Sequence, residues 1–192
     1  MDDRIDLDTH IQDILGVLQC EELSDVVLCG HSYGGMVISG VADKASEKIS
    51  SMVYLDALLP ADGQNVFDLL PDEAASGFKE DARTRGPIYR IAPTPSKAFG
   101  VNAEDQAWVN RRSVDHPLKT FEQPIRLEGR WKQVRRRVYI YATGWSPGVG
   151  RPFFEQAQNE TTWQAISLPC GHYVMIEMPE ELTQLLIASV GL

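Results

Sequence analysis

The sequence predicts an α/β fold: a mainly parallel sheet flanked by helices, with an inserted helical cap. Three observations lead there. Short apolar runs rich in β-formers alternate with helix-patterned segments, the order that builds a parallel sheet. The first of these runs, Asp25-Val26-Val27-Leu28-Cys29, is apolar on both faces, as strands covered on two sides are. The alternation then breaks, because seven of the eleven prolines lie between Pro60 and Pro124.

The elements follow in order. Leu7, Ile11, Ile14, Leu15 and Leu18 fall at helical spacing and form one apolar stripe. Asp6 or Asp8 is placed to cap that helix, since a short carboxylate accepts from the free N–H groups at a helix start. After the first strand come Gly30, Ser32, Gly34 and Gly35, then a helix over Met36 to Ala42. A second strand, Met52-Val53-Tyr54-Leu55, ends at Asp56. The irregular stretch contains a helical piece from Glu104 to Val114 and turn signals such as Pro60-Ala61-Asp62-Gly63. It reads as an insertion over a site or as a plain long loop. A third strand is Arg137-Val138-Tyr139-Ile140-Tyr141, then a helix around Phe153 to Gln158 and a fourth strand from Thr162 to Ser167. Pro179 opens a last helix, where a missing N–H does least harm, and Leu182, Leu185 and Leu186 give its buried face. The expected organisation is a single domain over 1–192, with a core of 1–57 and 133–192 and a cap or lid over about 58–132.

The bulk numbers narrow the function. The 192 residues suit one domain, and 43% hydrophobic with 23% charged residues suits a globular one. A net charge of -9 argues against nucleic acid, which wants a surplus of Lys and Arg. The basic cluster from Arg130 to Arg137 is expected to be a solvated lead-in to a strand. No apolar run has the length of a membrane span. Three cysteines (Cys20, Cys29, Cys170) lack metal-like spacing and are expected as reduced core thiols. The N-terminus opens acidic, without the basic-then-apolar order of a leader. The expected location is the cytoplasm.

The chemistry-bearing motif is Gly30-His31-Ser32-Tyr33-Gly34. A serine hydroxyl needs a base to take its proton and donors for the charge on the attacked carbonyl. G-x-S-x-G between a strand and a helix provides the geometry. The serine sits on a strained turn, and the next N–H, that of Tyr33, points into an oxyanion site. The motif also fits a glycine-rich turn without chemistry. Four histidines compete for the role of base. His31 is inside the turn and is expected to bond locally. His10 is on the first helix and is expected in solvent. His116, in Asp115-His116-Pro117, is expected to be structural. His172, in Leu168-Pro169-Cys170-Gly171-His172, follows the fourth strand at the sheet edge that carries Ser32, and is the expected general base.

Gly30 to Met36, Tyr54-Leu55-Asp56-Ala57 with Pro60-Ala61-Asp62-Gly63, and Pro169-Cys170-Gly171-His172 resemble the α/β-hydrolase superfamily. The branch is that of plant methyl esterases, hydroxynitrile lyases and related bacterial esterases. The likeness runs from about Leu7 to Ile187. It implies cofactor-free hydrolysis of carboxylic esters of small, apolar molecules through an acyl-serine intermediate, with Ser32 as nucleophile and His172 as base. The sequence departs from the family twice. The strands and the His-Gly loop that precede the first helix in the family are missing, as in an N-terminally truncated protein. That loop normally gives the second oxyanion donor, worth on the order of a hundredfold in rate. The first strand would then become an exposed edge, open to self-association. The second departure is the acid. Its usual place reads Ala142-Thr143-Gly144-Trp145-Ser146-Pro147-Gly148, with no carboxylate before Glu155. Asp56 is the nearest alternative, since some members place the acid after the earlier strand. A second reading is an inactive remnant that binds a small ligand or a partner; a third is a cyanohydrin lyase. The aromatic residues Phe67, Phe78, Phe99, Trp108 and Phe121 fit either an apolar substrate wall or the cap's own core.

Overall fold

A computed structural model describes residues 4–84, 90–146 and 148–190. Met1 to Asp3 of the leader reading, and Pro87 and Pro147 of the proline and acid readings, lie outside the described residues.

Helix α1 (Leu7–Cys20) is capped by Asp6, not Asp8. The Asp6 side chain accepts from Thr9 N at 2.9 Å, and Asp6 N donates to Thr9 Oγ1 at 3.3 Å. Leu7, Ile11 and Leu18 are buried against α2 (Gly34–Lys44), which follows strand β1 (Val26–His31). Strand β2 (Ile49–Leu55) leads into the insertion. That segment holds α3 (Val66–Leu69), α4 (Asp72–Thr84), β3 (Arg90–Ile91), α5 (Ala103–Arg112), β4 (His116–Pro117) and α6 (Lys119–Glu122). The chain then resumes with β5 (Arg136–Ala142), α7 (Arg151–Asn159), β6 (Trp163–Leu168), α8 (Val174–Glu177) and α9 (Pro179–Ala188).

The main sheet has the order β1-β2-β5-β6, and every pairing is parallel. The whole insertion therefore leaves the sheet after β2 and returns one strand over. Alternate residues of the central strands feed two cores. Met52, Tyr54, Tyr139 and Tyr141 join the cluster under α1, α2 and α7. Val53, Leu55, Val138, Ile140 and Ala142 join Val174 and Leu182 on the other face. Burial on both faces is why these runs show no period of two. The β3–β4 pair is antiparallel, and its Ile91 and Leu118 beside β4 pack with Phe67, Ala75 and Ala82 in a small cluster of their own.

Three sequence expectations change, whereas strand β1 is the exposed edge that the missing neighbouring strand implied and not a strand covered on both sides. Val26, Val27 and Leu28 are half-buried and Cys29 is exposed, because no described strand pairs with its outer side. Of the cysteines, only Cys170 is buried; Cys20 and Cys29 are exposed. The basic cluster is not wholly solvated, since Arg137 is buried with its guanidinium 5.5 Å from the Trp131 ring centre and 5.3 Å from that of Trp163. A weakly hydrated guanidinium can stack on aromatic faces in this way. On α9 only Leu182 is fully buried, and Leu185 and Leu186 pack partly against the sheet. No described helix is long and apolar enough to cross a membrane.

The start of α2 is pressed onto the chain leaving β2. A Cβ on Gly35 would stand 2.0 Å from the Leu58 carbonyl oxygen. Alanine in a helix is otherwise better than glycine by roughly 0.5–1 kcal/mol. Here the sign reverses: Gly35→Ala is expected to destabilise by about 1–3 kcal/mol in urea unfolding. A midpoint at or above that of the unsubstituted protein would contradict this packing.

Candidate active site

The nucleophile candidate sits where β1 turns into α2. Ser32 has φ +55°, a backbone conformation few side-chain-bearing residues adopt. Backbone bonds hold it there. Ser32 N donates to Leu55 O at 3.2 Å, and Ser32 O accepts from Gly35 N and Leu58 N, each at 3.1 Å. The turn is tight enough that a Cβ on Gly30 would lie 2.5 Å from Gly34 O. Only glycine lets the two chains pass. Tyr33 N, at the N-cap of α2, donates to no described residue and is free for an anion, as helix N-termini favour.

Asp56 ends β2 with φ +43° and is 3% exposed. Its Oδ2 accepts from His172 Nδ1 at 2.7 Å and from Trp145 Nε1 at 2.8 Å, and its Oδ1 accepts from Ala142 N at 3.3 Å. A Cβ on Gly150 would come within 2.5 Å of Oδ1, so this glycine leaves the carboxylate its place. Because a carboxylate only accepts, His172 carries its proton on Nδ1 and leaves Nε2 open as a base. His172 is 5% exposed and follows β6. Its N–H donates to Phe99 O at 2.8 Å, which ties it to the insertion. Glu177 adds a clamp, accepting from Gly171 N at 2.8 Å and Asn102 N at 2.9 Å. The Phe99 and Trp145 rings lie against the imidazole, with centroids at 5.0 Å and 4.7 Å.

The structure therefore brings Ser32, Tyr33, Asp56 and His172 to one cavity of about 460 Å³. Ser32 Oγ and His172 Nε2 are not hydrogen-bonded to each other. Such contacts often tighten only with substrate bound. Glu155, the other acid candidate, is on α7 at the surface and pairs with Arg151 at 3.5 Å. It does not reach the site.

The remaining histidines differ in part from expectation. His31 bonds locally, its Nε2–H donating to His172 O at 2.8 Å. His10 is not in solvent. It is half-buried, and its Nδ1 lies 3.0 Å from Tyr33 Oη. His116 lines the cavity and bonds Thr120 Oγ1 at 2.7 Å. Burial, with His172 nearby, pushes His31 down to about 3; burial, with His10 nearby, pushes His116 down to about 4. Desolvation also lowers His10 and raises the Tyr33 and Tyr173 hydroxyls.

Trp145 is a contributor that sequence reasoning missed, and His116, expected to be only structural, lines the cavity. Trp145 lies in the segment searched for an acid, and its indole N–H was the available signal there. Of the aromatic residues, Phe78, Phe99 and Phe121 line the cavity, Phe67 is buried in the insertion's own cluster, and Trp108 is 45% exposed.

A family model described as the alpha/beta hydrolase family matches residues 2–185. The chain belongs to that family and is an esterase-type member. It is 43% identical to a carbendazim hydrolyzing esterase from Nocardioides sp. (strain SG-4G), with 97% of this chain and 80% of that protein covered. An extracellular alpha/beta-hydrolase from a Paenibacillus species has the same fold, with a TM-score of 0.83 at 19% identity, over 99% of this chain and 81% of that one. A pyrethroid hydrolase from Sphingobium faniae JZ-2 superposes with a TM-score of 0.72 at 24% identity, covering 96% and 77%.

The lowered histidines set a pH dependence. A histidine whose native pKa lies below its unfolded value binds fewer protons folded than unfolded, so stability is lost as pH falls between the two values. The window runs from the unfolded value of 6.5 down to about 4 for His116 and about 3 for His31. The thermal midpoint is expected to drop between pH 7 and pH 4, and less steeply in His31→Gln, which keeps an N–H donor. Equal slopes in both proteins would contradict the assignment.

Proposed function

We propose that the protein hydrolyses carboxylic esters of small, apolar molecules through an acyl-serine intermediate, with Ser32 as nucleophile, His172 as base and Asp56 as the orienting acid. The observation that carries this reading is the 2.7 Å contact between His172 Nδ1 and Asp56 Oδ2 at the cavity that also holds Ser32. His172 Nε2 takes the Ser32 proton as Oγ attacks the ester carbonyl. The oxyanion is met by the Tyr33 N–H. As the tetrahedral species collapses, the imidazolium returns that proton to the leaving alcohol. Water then attacks the acyl-serine with His172 again as base, releasing the acid and restoring Ser32. Trp145 positions the Asp56 carboxylate by donating to the same Oδ2 that His172 bonds. The walls supplied by Val66, Leu70, Phe78, Ile91 and Phe121 favour apolar substrates. Residues 58–132 serve as the lid of a single domain. Three free thiols support a reducing, cytoplasmic setting. The lack of a hydrogen bond between Ser32 and His172 favours a second reading, an idle hydrolase that only binds ligands.

Hydrolysis of p-nitrophenyl butyrate separates the two. Ser32→Ala is expected to lower kcat by on the order of 10⁵–10⁶, and Asp56→Asn by about 10⁴, with the thermal midpoint nearly unchanged. Trp145→Phe should lower kcat by roughly tenfold, the scale of one hydrogen bond to a charged group, and Glu155→Gln should change nothing. Activity that survives Ser32→Ala contradicts the mechanism, and a loss in Glu155→Gln in place of Asp56→Asn contradicts the acid.

The outer edge of β1, which pairs with no described strand, supports self-association, since exposed N–H and C=O groups template another strand. Sedimentation should show a dimer that grows with concentration. A monomer at every concentration would exclude it.

A further inference from the structure

The cavity wall contains a second histidine, His116, whose protonation is fixed by its neighbours. Thr120 is 0% exposed, and its Oγ1 lies 2.7 Å from Pro117 O and 2.7 Å from His116 Nε2. A carbonyl oxygen only accepts, so the single hydroxyl proton of Thr120 is spent on Pro117 O. Thr120 must then accept from His116, and His116 carries its proton on Nε2. Nδ1 is left as a bare lone pair. No described residue bonds it, and it is not one of the side-chain atoms sealed off without a partner. His116 itself lines the cavity.

The other ring nitrogens there are committed. Trp145 Nε1 and His172 Nδ1 both serve Asp56, and His172 Nε2 faces the reaction as base. His116 is also held in place by rings on two sides, Tyr33 at 4.9 Å and Phe121 at 5.0 Å between centroids. The walls around it are mostly apolar. A lone acceptor in such a setting loses its water when substrate fills the cavity and must be matched by a donor or left unpaired.

We propose that His116 Nδ1 is the cavity's fixed hydrogen-bond acceptor and a specificity-determining group, selecting esters whose aryl or alkyl part carries an O–H or N–H donor. The proposal rests on the ester-hydrolase reading and adds a polar requirement to an otherwise apolar pocket. Burial holds the His116 pKa near 4, so the imidazole stays an acceptor at neutral pH. Discrimination by such sites is steep, because the analogue without the donor strands a buried polar group.

The test uses methyl phenylacetates bearing hydroxyl at the ortho, meta or para position, each against its fluoro counterpart, which is close in size and cannot donate. The unsubstituted protein is expected to prefer at least one hydroxyl ester by about tenfold or more in kcat/KM. His116→Phe should bring that ratio to within about threefold while hydrolysis of the fluoro ester continues. Thr120→Val, which releases the Nε2 proton from its fixed partner, should lower the ratio without abolishing it. Should His116→Phe fail to fold, His116→Asn, which offers a shorter acceptor, should still reduce the ratio. Ratios near one for all three pairs, or a preference that persists in His116→Phe, would overturn the proposal. Failure of the unsubstituted protein to hydrolyse any of the six esters would instead overturn the hydrolase reading, and this proposal with it.

Discussion

The carboxylate of Asp56 is the constraint on which the site depends. It is almost fully buried, and a buried charge is tolerable only where donors surround it. Three come from three different places: Ala142 N at the end of β5, Trp145 Nε1 in the following loop and His172 Nδ1 after β6. The carboxylate thus ties the carboxyl ends of three adjacent strands into one polar cluster. It also sets the His172 tautomer, which decides whether a base faces the cavity. The backbone yields to the same demand, with Asp56 held at φ +43°. Strain at such a position persists only where the surroundings over-determine it.

A second constraint is the close approach of α2 to the sheet. The glycines at 30 and 35 let the helix start directly over the end of β1, and Ser32 is forced up at the turn. The Leu58 N–H bonds the Ser32 carbonyl, so the elbow and the first residues of the insertion are locked together. From the far side of the cavity, Phe99 O binds His172 N, and Glu177 bridges the histidine loop to the start of α5. The inserted segment is therefore part of the site's frame. Apart from Asp56 and its partners, the polar groups around the cavity are neutral, because burial keeps His31 and His116 unprotonated.

Much of this was legible in the sequence, and for physical reasons. The four strands of the main sheet are short apolar runs, and the Ser32 turn needs glycines that cannot be replaced by larger residues. His172 and Asp56 follow strands at one sheet edge, so topology alone brings them near Ser32. What sequence could not supply was the third dimension. The exposure of Cys20 and Cys29 depends on what lies beside them, which a cysteine's apolar character does not record. Arg137 looked like one more surface cation until Trp131 and Trp163, 32 residues apart in the sequence, closed on its guanidinium. His10 and His116 are separated by more than a hundred residues, yet their rings meet at 5.9 Å beside Tyr33. Trp145 was hidden by the search for an acid: a donor stands where an acceptor was sought.

The central claim is that the Ser32 hydroxyl is activated by a histidine that Asp56 orients. Labelling with a serine-directed fluorophosphonate, read by peptide mass spectrometry, tests it without knowledge of the substrate. The account predicts a single adduct on Ser32, absent in Ser32→Ala and strongly slowed in Asp56→Asn. A folded protein that takes no label on Ser32, or takes it as fast when Asp56 is replaced, would contradict the account.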